Sequence, residues 1–157
     1  MTRVGTGWDS HRLVEGRPLI LGGVELESEL GLDGHSDADV LTHAIIDALL
    51  GAAALGDIGT LFPDTDERYR GADSIELLRE VVRLLADAGH VIANVDSTVL
   101  MERPKLAPYR ERIRERLAPA LGVSPDMVSV KATTGEGLGF VGRREGVAAT
   151  AVALLEQ

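Results

Sequence analysis

The sequence predicts an α/β or α+β fold, and two observations carry that reading. Segments rich in β-branched residues alternate with segments whose apolar residues recur at helical spacing. The apolar fraction is 45% while aromatics make up only 3%, so the core must be assembled from Leu, Val, Ile and Ala. At 157 residues, with no repeat, linker or low-complexity tract, the chain 1–157 reads as a single domain.

The elements follow in order. Arg3 to His11 reads as a first strand. Leu19–Leu21 and Val24–Leu26 flank Gly22-Gly23, the paired glycines a tight hairpin turn needs. Ser36 to Ala54 reads as a helix: Ser36 and Asp39 fit an S-x-x-D cap, and Leu41, Ala44, Ile45, Ala48, Leu49 and Ala52 mark one buried face. Gly56–Gly59 and Phe62–Asp66 are loop signals. Asp73 to Ala88 reads as a second helix, capped by Asp73 with Glu76 at the capping-box position and ended by Gly89. His90 to Met101 is β-branched and reads as a strand, and Pro108 to Ala118 as a short helix with a solvated charged face. Met127–Thr134 reads as a strand and Gly135–Gly142 as a glycine-rich loop. Gly146–Leu155 suits strand or helix, and is assigned to a strand that completes the sheet.

Composition narrows the function. A net charge of -9 and a pI near 4.9 argue against nucleic-acid or anionic-membrane partners, and at first sight against an anionic substrate. No apolar run reaches the ~20 residues of a bilayer span, and no signal or transit segment precedes the first strand. The lack of cysteine removes disulfides and thiolate chemistry and fits a cytoplasmic location.

Four constellations could carry chemistry. Asp9-x-His11 on a strand projects a carboxylate and an imidazole to one side, and His43 could supply a third ligand for divalent zinc with an open position. The same residues also suit a surface and a core histidine. Asp39, His43 and Asp47 share a helix face, which makes Asp47 a candidate for orienting a ligand or a solvated carboxylate. Just upstream, His35 and Ser36 sit where helix N-terminal amides could meet phosphate. Val130 to Gly137 places Lys131, Thr133 and Thr134 before a glycine turn that could cradle phosphate, with Glu136 able to hold a hard cation; the alternative is an ordinary strand end. Met101 to Leu106 is either a connecting loop or a turn offering backbone groups to a heterocycle and Lys105 to phosphate.

Together these residues resemble the 2-C-methyl-D-erythritol 2,4-cyclodiphosphate synthases of the non-mevalonate isoprenoid pathway. The resemblance rests on Gly7–His11, Gly34–Val40, His43-Ala44, Asp47–Gly59, Leu61–Asp66, Val130–Thr134, Gly139-Phe140 and Gly142-Arg143. It implies a four-stranded mixed sheet with helices on one face, ferredoxin-like, assembled as a homotrimer with active sites between subunits. It implies a phosphorus–oxygen lyase. The 2-phosphate of a cytidine diphosphate substrate attacks its own β-phosphate, CMP leaves, and a cyclic diphosphate forms. By position, Asp9, His11 and His43 match ligands of zinc (or manganese or cobalt), and Glu136 matches a ligand of magnesium or manganese. His35 and Ser36 match contacts to the methylerythritol phosphate, and Asp57, Gly59 and Asp64 the erythritol pocket. Met101, Pro104, Lys105 and Leu106 match the cytosine pocket, and Lys131, Thr133 and Thr134 match nucleotide-phosphate contacts. Phe140 and Arg143 match an isoprenoid diphosphate site on the threefold axis. Trp8 stands where Phe is usual, Gly135 where Thr or Asn is usual, and Gly137 where Lys is frequent.

The resemblance changes the reading of the charge. Two metal ions would add positive charge at each site, and Lys105 and Lys131, the only lysines, both fall in motifs matching nucleotide contacts. Three rival readings stand beside it: a module that binds a nucleotide or isoprenoid diphosphate without turnover, a zinc phosphoesterase that hydrolyses instead of cyclising, and one half of a fused enzyme.

Overall fold

The computed structural model describes residues 1–157. Along the chain run β1 (Thr2–Val14), β2 (Leu19–Leu21), β3 (Val24–Leu26), β4 (Gly31–Leu32), α1 (Val40–Ala53), α2 (Ile58–Leu61) and α3 (Ser74–Asp87). Then follow β5 (Val91–Leu100), α4 (Arg110–Leu121), β6 (Val128–Thr133), α5 (Gly139–Gly142) and β7 (Gly146–Glu156).

The main sheet has the order β4-β1-β7-β5-β6. β7 runs antiparallel to both neighbours, while β5 and β6 are parallel and joined through α4. The sheet is therefore mixed, with four long strands. A fifth, β4, pairs only Gly31 and Leu32 with the end of β1, too short to carry a periodicity that a sequence reading could detect. Apart from the β2–β3 hairpin and β4, the long elements follow the order β-α-α-β-α-β-β. The ferredoxin-like expectation thus holds for the layers but not the connectivity, which there runs β-α-β-β-α-β. The ambiguous last segment is a strand, and it occupies the middle of the sheet.

One face of the sheet is covered and the other is not. On β1, Gly5 and Gly7 are buried under α1, whereas Val4, Thr6 and Trp8 are exposed. A Cβ on Gly5 would stand 2.0 Å from the Ala48 carbonyl oxygen, and one on Gly7 1.8 Å from that of Ala44. Helix and strand thus touch backbone to backbone, glycines on one side and alanines on the other. The core cluster of 38 buried residues contains no aromatic side chain, as the composition requires; Phe62, Tyr69 and Tyr109 pack only at its margin.

Two helix boundaries differ from expectation. α1 begins at Val40 with Asp39 as its N-cap, so Ser36 does not cap it. Asp39 is fully buried and accepts from Thr42 N (3.0 Å), Thr42 Oγ1 (2.8 Å), Gly22 N (2.9 Å) and Gly23 N (2.8 Å). Four donors offset the desolvation of a carboxylate, and they pin the hairpin turn to the helix start. Both turn glycines have positive φ, as a two-residue hairpin demands. α1 is also buried nearly all round, with 12 of its 14 residues inside, not along one face only. α4 runs on to Leu121, past Pro119. The loop Gly56–Gly59 leads into the short α2, and the glycine-rich loop after β6 closes on the single turn α5.

Candidate metal centre and phosphate site

Asp9 and His11 lie on the covered face of β1, and the glycine–alanine contact lowers α1 until His43 meets them. Asp9 Oδ2 lies 2.8 Å from His11 Nε2 and 3.1 Å from His43 Nδ1, and the two nitrogens are 3.3 Å apart. These three ligand atoms all lie within 4.8 Å of one another.

The outer side of each ring decides what faces inward. His11 Nδ1 is 2.9 Å from the Asp33 carbonyl oxygen. A carbonyl only accepts, so Nδ1 carries the hydrogen and a neutral His11 turns the Nε2 lone pair inward. His43 Nε2 is 2.7 Å from Ser74 Oγ, whose own hydroxyl donates to Asp37, so the lone pair of a neutral His43 is on Nδ1. In the neutral rings, two imidazole lone pairs and a carboxylate oxygen therefore converge on one point, an arrangement that can hold a cation between them. The donor set N, N, O suits a divalent transition metal with an open position. With no ion between them, imidazole hydrogens turned toward Asp9 meet the same carboxylate. Burial pushes the Asp9 carboxyl up, but hydrogen bonds from His11 and His43 outweigh it and hold it at about 2. Burial lowers His11, yet the Asp9 hydrogen bond and charge win and raise it above its ordinary value.

The triad opens into a cavity of ≈ 490 Å³. His35, Ser36, Gly59 and Asp64 line it, opposite an apolar wall that includes Ile58 and Phe62. Asp57 sits at its edge and caps α2, accepting from Thr60 N at 2.8 Å. Asp47 does not orient His43. Its Oδ1 accepts from Ile58 N at 2.8 Å and so holds the wall that carries Asp57 and Gly59, while Ser74 takes the His43 position. Sequence reasoning missed three supports. Arg17 donates to the Gly34 and Ser36 carbonyls at 3.1 and 3.0 Å and fixes the loop bearing His35. The Asp33 carbonyl and Ser74 set the two imidazoles. None lies within a recognisable motif spacing, because each acts through backbone or across 31 residues of chain.

The second group of candidates lies elsewhere. Met101, Pro104, Lys105 and Leu106 follow β5, and Thr133, Thr134 and Glu136 end and follow β6. The two loops are joined where Met101 N donates to the Thr133 carbonyl at 3.0 Å and Gly135 N donates to Glu102. Met101 and Leu106 are buried; Lys105, Thr133, Thr134 and Glu136 are exposed. None of them lines the triad cavity. Through the register, Asp9 aligns with Ala149, Val99 and Ala132 across three strand spacings, about 14 Å. Lys131 and Thr133 flank Ala132, so they project to the opposite, uncovered face. There Lys131 Nζ meets Asp96 Oδ2 at 2.8 Å. Phe140 and the half-buried Ser10 border a smaller cavity of ≈ 210 Å³, and Arg143 is paired with Glu145 at 3.2 Å.

A sheet with one bare face, a mixed four-strand body and a carboxylate–imidazole cluster able to hold a metal define the class of protein, and comparison with known proteins gives it a family. The chain belongs to the YgbB family, whose model matches residues 2–156. It is 64% identical over 154 residues to the 2-C-methyl-D-erythritol 2,4-cyclodiphosphate synthase of Laribacter hongkongensis, covering 98% of this chain and 95% of that one. It is 61% identical to the synthase of the same name from Synechococcus elongatus, covering 98% and 96%. Among solved structures, a 2C-methyl-D-erythritol-2,4-cyclodiphosphate synthase in a CDP-bound form superposes with a TM-score of 0.90 at 44% identity, covering 98% of this chain and 100% of that one. The bifunctional IspDF of Campylobacter jejuni gives a TM-score of 0.95 at 42% identity; the match covers 99% of this chain but 42% of that longer one.

Proposed function

We propose that this chain, as one domain spanning 1–157, cyclises 4-diphosphocytidyl-2-C-methyl-D-erythritol 2-phosphate to 2-C-methyl-D-erythritol 2,4-cyclodiphosphate and releases CMP. The observation that carries the reading is the convergence of Asp9 Oδ2, His11 Nε2 and His43 Nδ1 at the mouth of a polar-rimmed cavity. An ion held there, zinc or in its stead manganese or cobalt, would polarise a phosphate oxygen as a Lewis acid. Glu136, exposed and without an ionic partner, suits magnesium or manganese, which take one or two carboxylates and complete their shell with substrate phosphates and water. His35 and Ser36 bind the methylerythritol phosphate; Asp57 and Asp64 accept from erythritol hydroxyls beside Gly59. Met101, Pro104, Lys105 and Leu106 receive the cytosine, largely through backbone, and Thr133 and Thr134 donate to the nucleotide phosphates. Lys131 adds positive charge near them.

The reaction asks little covalent help of the protein. The nucleophile is a phosphate monoester, already an anion, so no serine or cysteine nucleophile and no general base is needed. Pinning both ends of one molecule makes the attack intramolecular, a gain of up to about 7–11 kcal/mol when well oriented. Lys131 and Thr133 face the side of the sheet opposite the triad, and none of the second group lines the triad cavity, so a single chain does not bring the two groups to one substrate. That supports a homotrimer in which the triad of one copy meets the nucleotide loops of the next across the bare faces, leaving an axial space beside Phe140 and Arg143 for an isoprenoid diphosphate. A cytoplasmic location belongs to the same reading. No helix is long and apolar enough to cross a membrane.

Incubating the chain with the cytidyl substrate, zinc and magnesium, and following phosphorus NMR, tests the proposal. The cyclic diphosphate and CMP are the expected products. Inorganic phosphate or a linear diphosphate would move the assignment to a phosphoesterase, and binding without turnover to a nucleotide-holding module.

A further inference from the structure

We infer that Ser74 and Asp37 are positioning residues for the metal centre, a buried relay that fixes which nitrogen of His43 is free to bind. The inference rests on the metal reading of Asp9, His11 and His43. Ser74 is the first residue of α3 and is fully buried. Its Oγ lies 2.7 Å from His43 Nε2 and within hydrogen-bond reach of Asp37 Oδ1. Asp37 Oδ2 accepts from Ser74 N at 2.9 Å, and its Oδ1 also accepts from Asp39 N at 3.1 Å.

The direction of every hydrogen bond is forced. An ionised carboxylate only accepts, so the Ser74 hydroxyl hydrogen points to Asp37. Its oxygen is then left to accept, and the donor facing it is His43 Nε2–H. His43 Nδ1 is the remaining nitrogen, and it is the one beside Asp9 Oδ2 at 3.1 Å. Ser36 Oγ, at 3.3 Å from the same Nε2, is a longer second acceptor. The relay does by way of a hydroxyl what a carboxylate does directly in many metal sites: it sets the tautomer, holds the ring and makes the ligating nitrogen more basic. It also joins three segments, the loop before α1, α1 itself and the start of α3, so the docking of α3 reports on the metal centre.

The test uses the full chain stripped of metal, with Zn²⁺ titrated in competition with a chromophoric chelator, and proton–nitrogen NMR of the histidine rings. The wild type is expected to show a protected His43 Nε2–H resonance, and Ser74→Ala to weaken Zn²⁺ affinity about 10–100-fold and abolish that resonance. Asp37→Asn, whose amide nitrogen cannot accept, shifts both readouts in the same direction and serves if Ser74→Ala does not fold. Unchanged affinity in a folded variant overturns the proposal, and so does weakened affinity with the Nε2–H resonance intact. Failure of the wild type to bind Zn²⁺ overturns the metal reading itself, a result distinct from either.

Discussion

The two ends of the candidate site are built on opposite principles. Around the triad, each functional atom is held by a partner on its far side: His11 by the Asp33 carbonyl, His43 by Ser74, the His35 loop by Arg17. Around Thr133, Thr134 and Glu136, the side chains are exposed and the joining contacts are between backbone and Glu102. The contrast teaches where preorganisation is spent. A cation centre must be correct before substrate arrives, because its ligand atoms must already stand at the productive geometry. A loop that meets phosphates and a second copy of the chain can be completed by them.

The strongest way to break this comparison is to separate the two ends onto different chains. His43→Ala alone and Glu136→Ala alone should each lose cyclisation. Subunits of the two variants, mixed equally and allowed to exchange, should recover activity at about one quarter of the sites, since each site then draws an intact triad and an intact loop independently from a two-component pool. CMP release by either variant alone, at the wild-type rate, sinks the assignment of that residue. A mixture that stays dead while forming mixed oligomers sinks the shared site.

Much of this is legible in the sequence. Asp9, His11 and His43 were readable because a two-residue strand spacing and a helix one motif away are local signals, and the family resemblance joined them. The aliphatic core followed from composition. The supports were not legible. Ser74 reaches His43 across 31 residues, and Arg17 acts on two carbonyl oxygens, which have no sequence identity to read. Asp47 shows the same limit: helical spacing puts it on the His43 face, but periodicity does not say that its carboxylate accepts from the Ile58 amide. The separation of Lys131 from the triad needed the strand order, since β7, last in the chain, inserts between β1 and β5.

A second, smaller effect contrasts two glycines. At Gly7 a Cβ would meet the Ala44 carbonyl oxygen at 1.8 Å, a backbone atom that cannot turn aside. Gly7→Ala must push α1 off the sheet, so we expect a loss of about 1–3 kcal/mol or more in chemical denaturation, together with weaker Zn²⁺ binding as His43 retreats. At Gly137, on the exposed loop, a Cβ meets nothing within 4 Å but φ is +73°. Gly137→Ala should cost only the left-handed backbone penalty of about 1–2 kcal/mol and leave Zn²⁺ affinity unchanged. Equal effects of the two on metal binding would contradict the division between a preorganised and an open end.

The smallest expected effect concerns Lys131 and Asp96 on the bare face. Burial pushes the Asp96 carboxyl up, but the Lys131 hydrogen bond and charge prevail and the net shift is downward. A carboxyl whose folded pKa is depressed stabilises the protein above its unfolded value, near 3.9, and that contribution disappears as pH falls through the lower folded value. The pair is largely solvent-exposed, with side-chain accessibilities of 56% and 43%, so it is worth no more than about 0–1 kcal/mol in the isolated chain. Asp96→Asn should therefore lower stability slightly at neutral pH, in chemical denaturation at low salt, and not at all near pH 2. If the bare faces meet in an oligomer, the same substitution acts inside an interface. There its neutral-pH cost should rise above that surface value and respond less to added salt, because a desolvated pair is screened less. An Asp96→Asn cost that stays within about 0–1 kcal/mol in the assembled protein, and is fully removed by salt, would place this pair at the solvent rim and confine the contact between copies to the exposed apolar side chains Val4, Trp8 and Val152, the last paired with Thr6 between the other two.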